Sequence, residues 1–399
     1  MALTDKFTAP RDLRARLSMA EADPTAIHIE KLSSPTEAMI HGRRTILLGT
    51  NNYLGLTLDP ACIREGQRAL EQFGTGTTGS RMANGTYADH LALESELADF
   101  YGVPHSMVFS TGYTANLGCL SALVGPGDVV MLDADAHASL YDGCRLSGAT
   151  IYRFKHNDLA GLDRRLGRLG QKAADTLIVV EGVYSILGDR APLADLVDIA
   201  RKYGALLFVD EAHSLGVYGE RGRGQVEEQG VVEEVDFIVG TFSKSLATTG
   251  GFCVSRHDIL PLFRYVSRPY IFTASPGPAV VASAREALRQ LRTRPELREQ
   301  LWANADRLYG ALRTLGLSLG PDVSPIVAVR FSDRSIALGF WKGLLDRGVY
   351  TNLILPPAAP DGGSLVRCSV TAAHTQDQIE TVIEAFTAMC RSEAAGIPA

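Results

Sequence analysis

The chain reads as an α/β protein with a large domain, a mainly parallel sheet covered by helices, and a smaller C-terminal α+β domain. Three observations predict this. Short apolar strands, "SMVFS", "DVVMLD", "TLIVVEG", "ALLFVDE", "FIVGT" and "GGFCVS", alternate with helical stretches, which is the pattern of crossover units. The chain has 399 residues, 46% hydrophobic and 21% charged, enough for a large core and more than one domain. After residue 280 the texture changes to long helices with isolated strands between them.

The elements follow in order. Residues 1–45 read as a polar helix and a short connection, and "RTILLGT" as the strand that leads into the large domain, residues 46–280. Residues 281–399 form the smaller domain. Its long helix starts at Pro295, with Leu297, Leu301, Leu308, Leu312 and Leu315 on one stripe. "SPIVAVRF" and "SLVRCSV" read as strands, and "ALGFWKGLLDRG" as a helix between them. The last helix opens at "TQDQ", where Thr375 and Gln378 make a capping box. The end, "SEAAGIPA", is expected to fray.

Composition excludes several classes. Net charge is −6, so no basic excess points to nucleic acid or to an anionic membrane surface. Six scattered cysteines without a C-x-x-C pair fit reduced thiols and no metal site. The opening "MALTDKFTAPRDLRARL" has no apolar signal core, and no run approaches the ~18 apolar residues of a membrane span. Cytoplasm is the expected compartment, with membrane contact at most peripheral. "GTGTTG" at 74–79 matches G-x-G-x-x-G letter for letter, but an amphipathic helix precedes it where a nucleotide site needs a strand.

The chemistry gathers at strand ends. "ALLFVDEAHSLG" puts Asp210 at the C-terminal end of a buried strand, where open α/β sheets bind ligands. A helix cap or a structural ion pair explains a lone aspartate equally well, and His213 could simply hold it by hydrogen bond. "FSTGYTAN" places Gly112 between strand and helix, where amides can cradle a phosphate. "DADAHASLYDG" carries His137 and "EGVYSILGD" carries Ser185, each just past a strand. "GTFSKSLATTGGF" sets Lys244 among hydroxyls and glycines at the mouth of "VDFIVG". Each signal is ambiguous singly; together they converge on one side of one sheet. Pyridoxal phosphate needs an amine for a Schiff base, a carboxylate for its ring nitrogen and donors for its phosphate. Hydride transfer needs neither the lysine nor the buried acid.

The ordered set "NNYLGL", "STGYTAN", "DADAHAS", "EGVYSILGD", "VDEAHSLGVYGERGRG", "TFSKSLATTGGF" and "IFTAS" resembles the α-oxoamine synthases, fold-type I pyridoxal phosphate enzymes. These condense an amino acid with an acyl thioester and release CO2. The "GTGTTGSRMANGTYADH" loop and "LPPAAP" at 355–360 resemble the members that take L-serine and a long-chain acyl-CoA. The resemblance implies that Lys244 forms the Schiff base, Asp210 pairs with the pyridine nitrogen and His137 stacks on the ring. It places His213 and Ser185 beside the 3-hydroxyl, and Gly112, Tyr113, Thr241 and Ser243 at the phosphate. Thr273 in "IFTAS" would reach the phosphate of the neighbouring subunit, implying a homodimer with a shared active site. Asn52 and Arg367 are the candidates for the substrate carboxylate. Asn51 and Leu355 depart from the residues that some relatives carry there. Three rivals stay open: a related synthase for glycine or alanine, a non-catalytic partner subunit, and a plain aminotransferase.

Overall fold

The computed structural model describes residues 3–19, 23–356, 358–359 and 362–392. Pro357 and Pro360 of the "LPPAAP" segment, and residues 393–399 of the end expected to fray, lie outside the described residues. The first helix, Thr8–Met19, is followed by three strands, β1 (Lys31–Ser34), β2 (Glu37–Ile40) and β3 (Arg43–Leu47). β1, β2 and β3 pair antiparallel in turn. Of the three, only β3 is expected from the sequence, as part of the longer run "RTILLGT"; β1 and β2 are four residues each.

The large sheet holds β4 (His105–Phe109), β5 (Val129–Asp133), β6 (Thr150–Phe154), β7 (Thr176–Glu181), β8 (Leu206–Asp210), β9 (Phe237–Thr241) and β10 (Gly251–Ser255). Its order is β4-β10-β9-β8-β7-β5-β6. Helices cover both faces, so β5, β7, β9 and β10 are buried at every residue, which is why they read as unbroken apolar runs. β6 is the edge; only Phe154 in it is buried, and its sequence carries no such run. β10 runs antiparallel to both β9 and β4, while the β9-β8-β7-β5-β6 ladder is parallel throughout. The C-terminal ends of β4, β5, β7, β8 and β9 therefore share one side of the sheet with the start of β10.

The C-terminal part adds β11 (Ile326–Phe331), β12 (Val349–Tyr350), β13 (Asn352–Ile354) and β14 (Ser364–Ser369). β11, β14 and β13 form an antiparallel sheet, while β12 joins β3 in parallel, so the N-terminal strands share a sheet with the C-terminal part. A division at residue 280 passes through the helix Pro278–Thr293, which lies against Pro60–Phe73. Gly66 makes that approach possible: a methyl there would sit 2.8 Å from Ser283 Oγ. The long helix spans Glu296–Thr314 and buries Leu301, Leu308 and Leu312, with Leu297 and Leu315 packed at the margin. In the last helix Thr375 N–H donates to Gln378 Oε1 at 3.1 Å and Gln378 N–H donates to Thr375 Oγ1 at 3.2 Å, completing the reciprocal cap.

Candidate active site

A cavity of about 320 Å³ opens where the strands of the large sheet end, and most of the predicted residues line it. The helix Gly112–Leu123 leaves β4 at its wall. Thr111 caps that helix through Thr114 N–H at 3.0 Å, which leaves the amides of Gly112 and Tyr113 without helical partners. A side chain at position 112 would place its Cβ 2.8 Å from Thr241 Cβ, so only glycine brings this amide end against β9. Thr241 Oγ1 donates to the Gly250 carbonyl at 3.0 Å and lies 2.9 Å from Ser243 Oγ. The two amides at this helix N-terminus have the Thr241 and Ser243 hydroxyls beside them, a seat suited to a phosphate.

Asp210 ends β8 and is 5% exposed. Its Oδ2 accepts from Asn116 Nδ2 at 2.7 Å and its Oδ1 from Ala212 N–H at 2.8 Å. His213 does not hold Asp210; its Nδ1 lies 2.7 Å from the buried Tyr53 hydroxyl. Burial, and then the charges of Lys244 and Arg367, push the His213 imidazole well below its ordinary range, so a neutral ring lines the cavity. Glu181 stands opposite Asp210 in the β7–β8 register. Burial first, and then the Asp210 charge, hold the Glu181 carboxyl well above the carboxylate range. The two carboxyl groups stand side by side at the ends of neighbouring strands, facing the same cavity.

Lys244 sits in a tight loop that returns Thr248 N–H to the Phe242 carbonyl at 3.0 Å, with Ala247 at φ 54°. Loss of solvent lowers its ammonium pKa to about 8; Asp210 and Glu181 oppose that shift and Arg367 assists it. His137 lies at the exposed rim, caps the helix Ala138–Ser147 through its Nδ1, and has its backbone N–H held by Glu181. Tyr113, beside it, donates its hydroxyl to Asp142.

Four predicted residues stand outside the cavity wall. Thr273 is half-buried and follows the exposed Phe272. Ser185 contributes its carbonyl, which accepts from Arg367 Nε at 2.6 Å. Arg367, in β14 and 4% exposed, also donates from Nη1 to Asn51 Oδ1 at 3.0 Å and to Ser369 Oγ at 2.8 Å. Its Nη2 is buried and meets no hydrogen-bond geometry among the described residues, which leaves one nitrogen of the guanidinium for a carboxylate. Asn52 Nδ2 donates to Thr57 Oγ1 at 2.8 Å, and it is the adjacent Asn51 whose Oδ1 accepts from Arg367.

Sequence reasoning missed Asn116, Glu181 and Tyr53, and noted Asn51 only as a departure from some relatives. Two of these had a signal: Asn116 lies one helical turn after Gly112, and Glu181 closes an apolar strand as Asp210 does. The donor set fits pyridoxal phosphate: a desolvated amine, a buried carboxylate in its own hydrogen-bonded seat, and a helix N-terminus ringed by hydroxyls. A larger cleft of about 520 Å³ lies elsewhere, but its walls pair arginines with glutamates, as in Arg285–Glu96 and Arg289–Glu286, and gather no such set.

Residues 43–386 match the family described as aminotransferase class I and II. The chain is 54% identical over 386 residues to a serine palmitoyltransferase of Caulobacter vibrioides, covering 97% of this chain and 96% of that protein. It is 53% identical over 378 residues to a serine palmitoyltransferase of Sphingomonas paucimobilis, covering 94% and 90%. A solved serine palmitoyltransferase with pyridoxal phosphate as its internal aldimine superposes with a TM-score of 0.96 at 51% identity, covering 99% of this chain and 100% of that one.

Proposed function

The chain belongs to the class I and II aminotransferase family, in its α-oxoamine synthase branch, and we propose that it catalyses the serine palmitoyltransferase reaction. L-serine and palmitoyl-CoA give 3-ketodihydrosphingosine, coenzyme A and CO2, with pyridoxal phosphate as cofactor. The observation that carries this reading is the desolvated amine of Lys244 in one cavity with the Asp210 side chain seated by Asn116.

The cofactor, when bound, supplies an electron sink for the charge left at the serine Cα. Asp210, fixed by Asn116, offers the negative charge that keeps a proton on the pyridine nitrogen. The Gly112 and Tyr113 amides, with Thr241 and Ser243, would hold the phosphate, and neutral His213, which lines the cavity as Ser185 does not, would flank the 3-hydroxyl. His137 at the rim covers the ring. Lys244, with its lowered pKa, is partly neutral near pH 7 and takes the Cα proton. Arg367 directs Nη2 to the serine carboxylate until that group leaves as CO2. Cα bonds to the acyl carbon as the C–S bond breaks, the thiolate departs, and a proton returns to Cα.

Thiol release measured across L-serine, glycine and L-alanine, each with palmitoyl-CoA and short acyl-CoAs, tests the assignment. L-serine with palmitoyl-CoA should be fastest. A preference for glycine or alanine would transfer the chain to the rival synthases, and amino exchange without thiol release to the aminotransferases.

The working unit we propose is a homodimer in which Thr273 reaches the partner's phosphate. Tyr265, Val266 and Phe272 support it, being 68%, 58% and 73% exposed next to Thr273, an apolar surface that suits a second copy. Hybrids of Lys244→Ala protomers with Thr273→Trp protomers contain one site with both native residues. Their activity should exceed the sum of the two parents; a simple sum after confirmed exchange argues against a shared site. No helix among the described residues is long and apolar enough to cross a membrane. The compartment we propose is the cytoplasm.

A further inference from the structure

His156 follows β6 and carries a carboxylate on each ring nitrogen. Nδ1 lies 2.9 Å from Asp133 Oδ1 and Nε2 lies 2.5 Å from Asp189 Oδ2. Asp133 is fully buried and Asp189 is 7% exposed. Two carboxylate acceptors require a proton on both nitrogens, so the ring is an imidazolium between two anions. Burial opposes that charge, but the bonds and charges of Asp133 and Asp189 outweigh it and raise the pKa to about 10. The edge of the Tyr184–His156 ring pair is close, with centroids 4.4 Å apart.

The two aspartates sit on different parts of the fold. Asp133 ends β5, and its Oδ2 also accepts from Asn157 N–H at 3.1 Å. Asp189 belongs to the turn after β7. That turn is closed by Tyr184 N–H donating to the Asp189 carbonyl at 2.9 Å, by Gly188 N–H donating to the Tyr184 carbonyl at 3.0 Å, and by a bridge between Val183 and Arg190. Ser185 projects its carbonyl from this turn to Arg367 Nε. His156 is thus the clamp between the sheet and the turn that orients the guanidinium.

We propose that His156 is a positioning residue for the substrate carboxylate: clamped between Asp133 and Asp189, it fixes the turn 183–190 and, through the Ser185 carbonyl, the direction of Arg367. This rests on the reading above that Arg367 binds the carboxylate of L-serine. A purely structural role for His156 predicts a lower melting temperature with no change in how the site distinguishes a carboxylate.

The test titrates the visible spectrum of the cofactor-loaded protein with L-serine and with ethanolamine, which keeps the amine and hydroxyl but lacks the carboxylate. His156→Gln can satisfy only one of the two carboxylates and leaves the other unpaired. Asp189→Asn loosens the same clamp while removing a buried charge, and it carries the test alone if His156→Gln does not fold. Both should weaken L-serine by about ten-fold, the scale of one lost charge-assisted contact, and leave ethanolamine unchanged. Arg367→Ala should show the same selectivity change or a larger one. If Arg367→Ala changes the serine-to-ethanolamine ratio while His156→Gln and Asp189→Asn keep the wild-type ratio, the positioning role is overturned and the reading of Arg367 stands. If Arg367→Ala leaves the ratio unchanged, that reading fails and the positioning role falls with it.

Discussion

Lys244→Ala should abolish the visible absorbance of the covalently held cofactor and lower condensation by on the order of 10³-fold or more, the scale of losing a positioned base and the covalent attachment together. The expectation follows from the site's electrostatics. An ordinary lysine is almost wholly ammonium at pH 7 and neither attacks a carbonyl nor accepts a proton. Desolvation in the 242–249 loop brings the Lys244 pKa to about 8, against the pull of Asp210 and Glu181. Cofactor-free protein should therefore capture pyridoxal phosphate faster as pH rises, with the rate levelling off near pH 8; an unshifted lysine would keep accelerating toward 10.5, its ordinary value. Turnover by purified Lys244→Ala at a near-native rate would exclude the assignment.

Asp210→Asn is the second large effect. The substitution keeps the shape, and Asn116 and the Ala212 amide remain in place around it. It removes the carboxylate that Asn116 and the Ala212 amide seat, and Glu181, whose backbone partner is the His137 amide, does not occupy that seat. Electrostatic stabilisation of charge that develops in the reaction is worth on the order of 10²–10³-fold per group, so exchange of the serine Cα proton for deuterium should slow by about that factor. Bound cofactor should stay near the native level, because the phosphate seat at Gly112 and Thr241 does not depend on this charge. Unchanged Cα exchange in Asp210→Asn would rule out its role in charge stabilisation.

The limits of the sequence show at particular residues. β7 and β8 could be read because strands buried on both faces must be apolar throughout, and Asp210 stood out as the polar end of such a run. Helix ends were legible for a similar local reason: Thr375 and Gln378 satisfy each other's backbone within one turn. β6 and β1 were not legible, since mostly exposed strands carry no burial signal and owe their conformation to pairing partners, and β2, which buries Ala38 and Ile40, is only four residues long. The antiparallel direction of β10 was hidden too, because an apolar run has no sense of direction until a neighbouring strand sets it.

The family of the chain was determined by the sequence alone, and Lys244, Asp210 and His137 stood out there as candidates, because local motifs at the ends of apolar strands specify them. Tertiary structure decided which groups those residues face. Arg367 meets Asn51 across 316 positions and Ser185 across 182, His213 meets Tyr53 across 160, and Asp210 meets Asn116 across 94. Such contacts leave no periodicity in the chain. The same is true of electrostatics: Glu181 is one more acid at the end of an apolar strand, and only its burial beside Asp210 in the sheet raises its pKa.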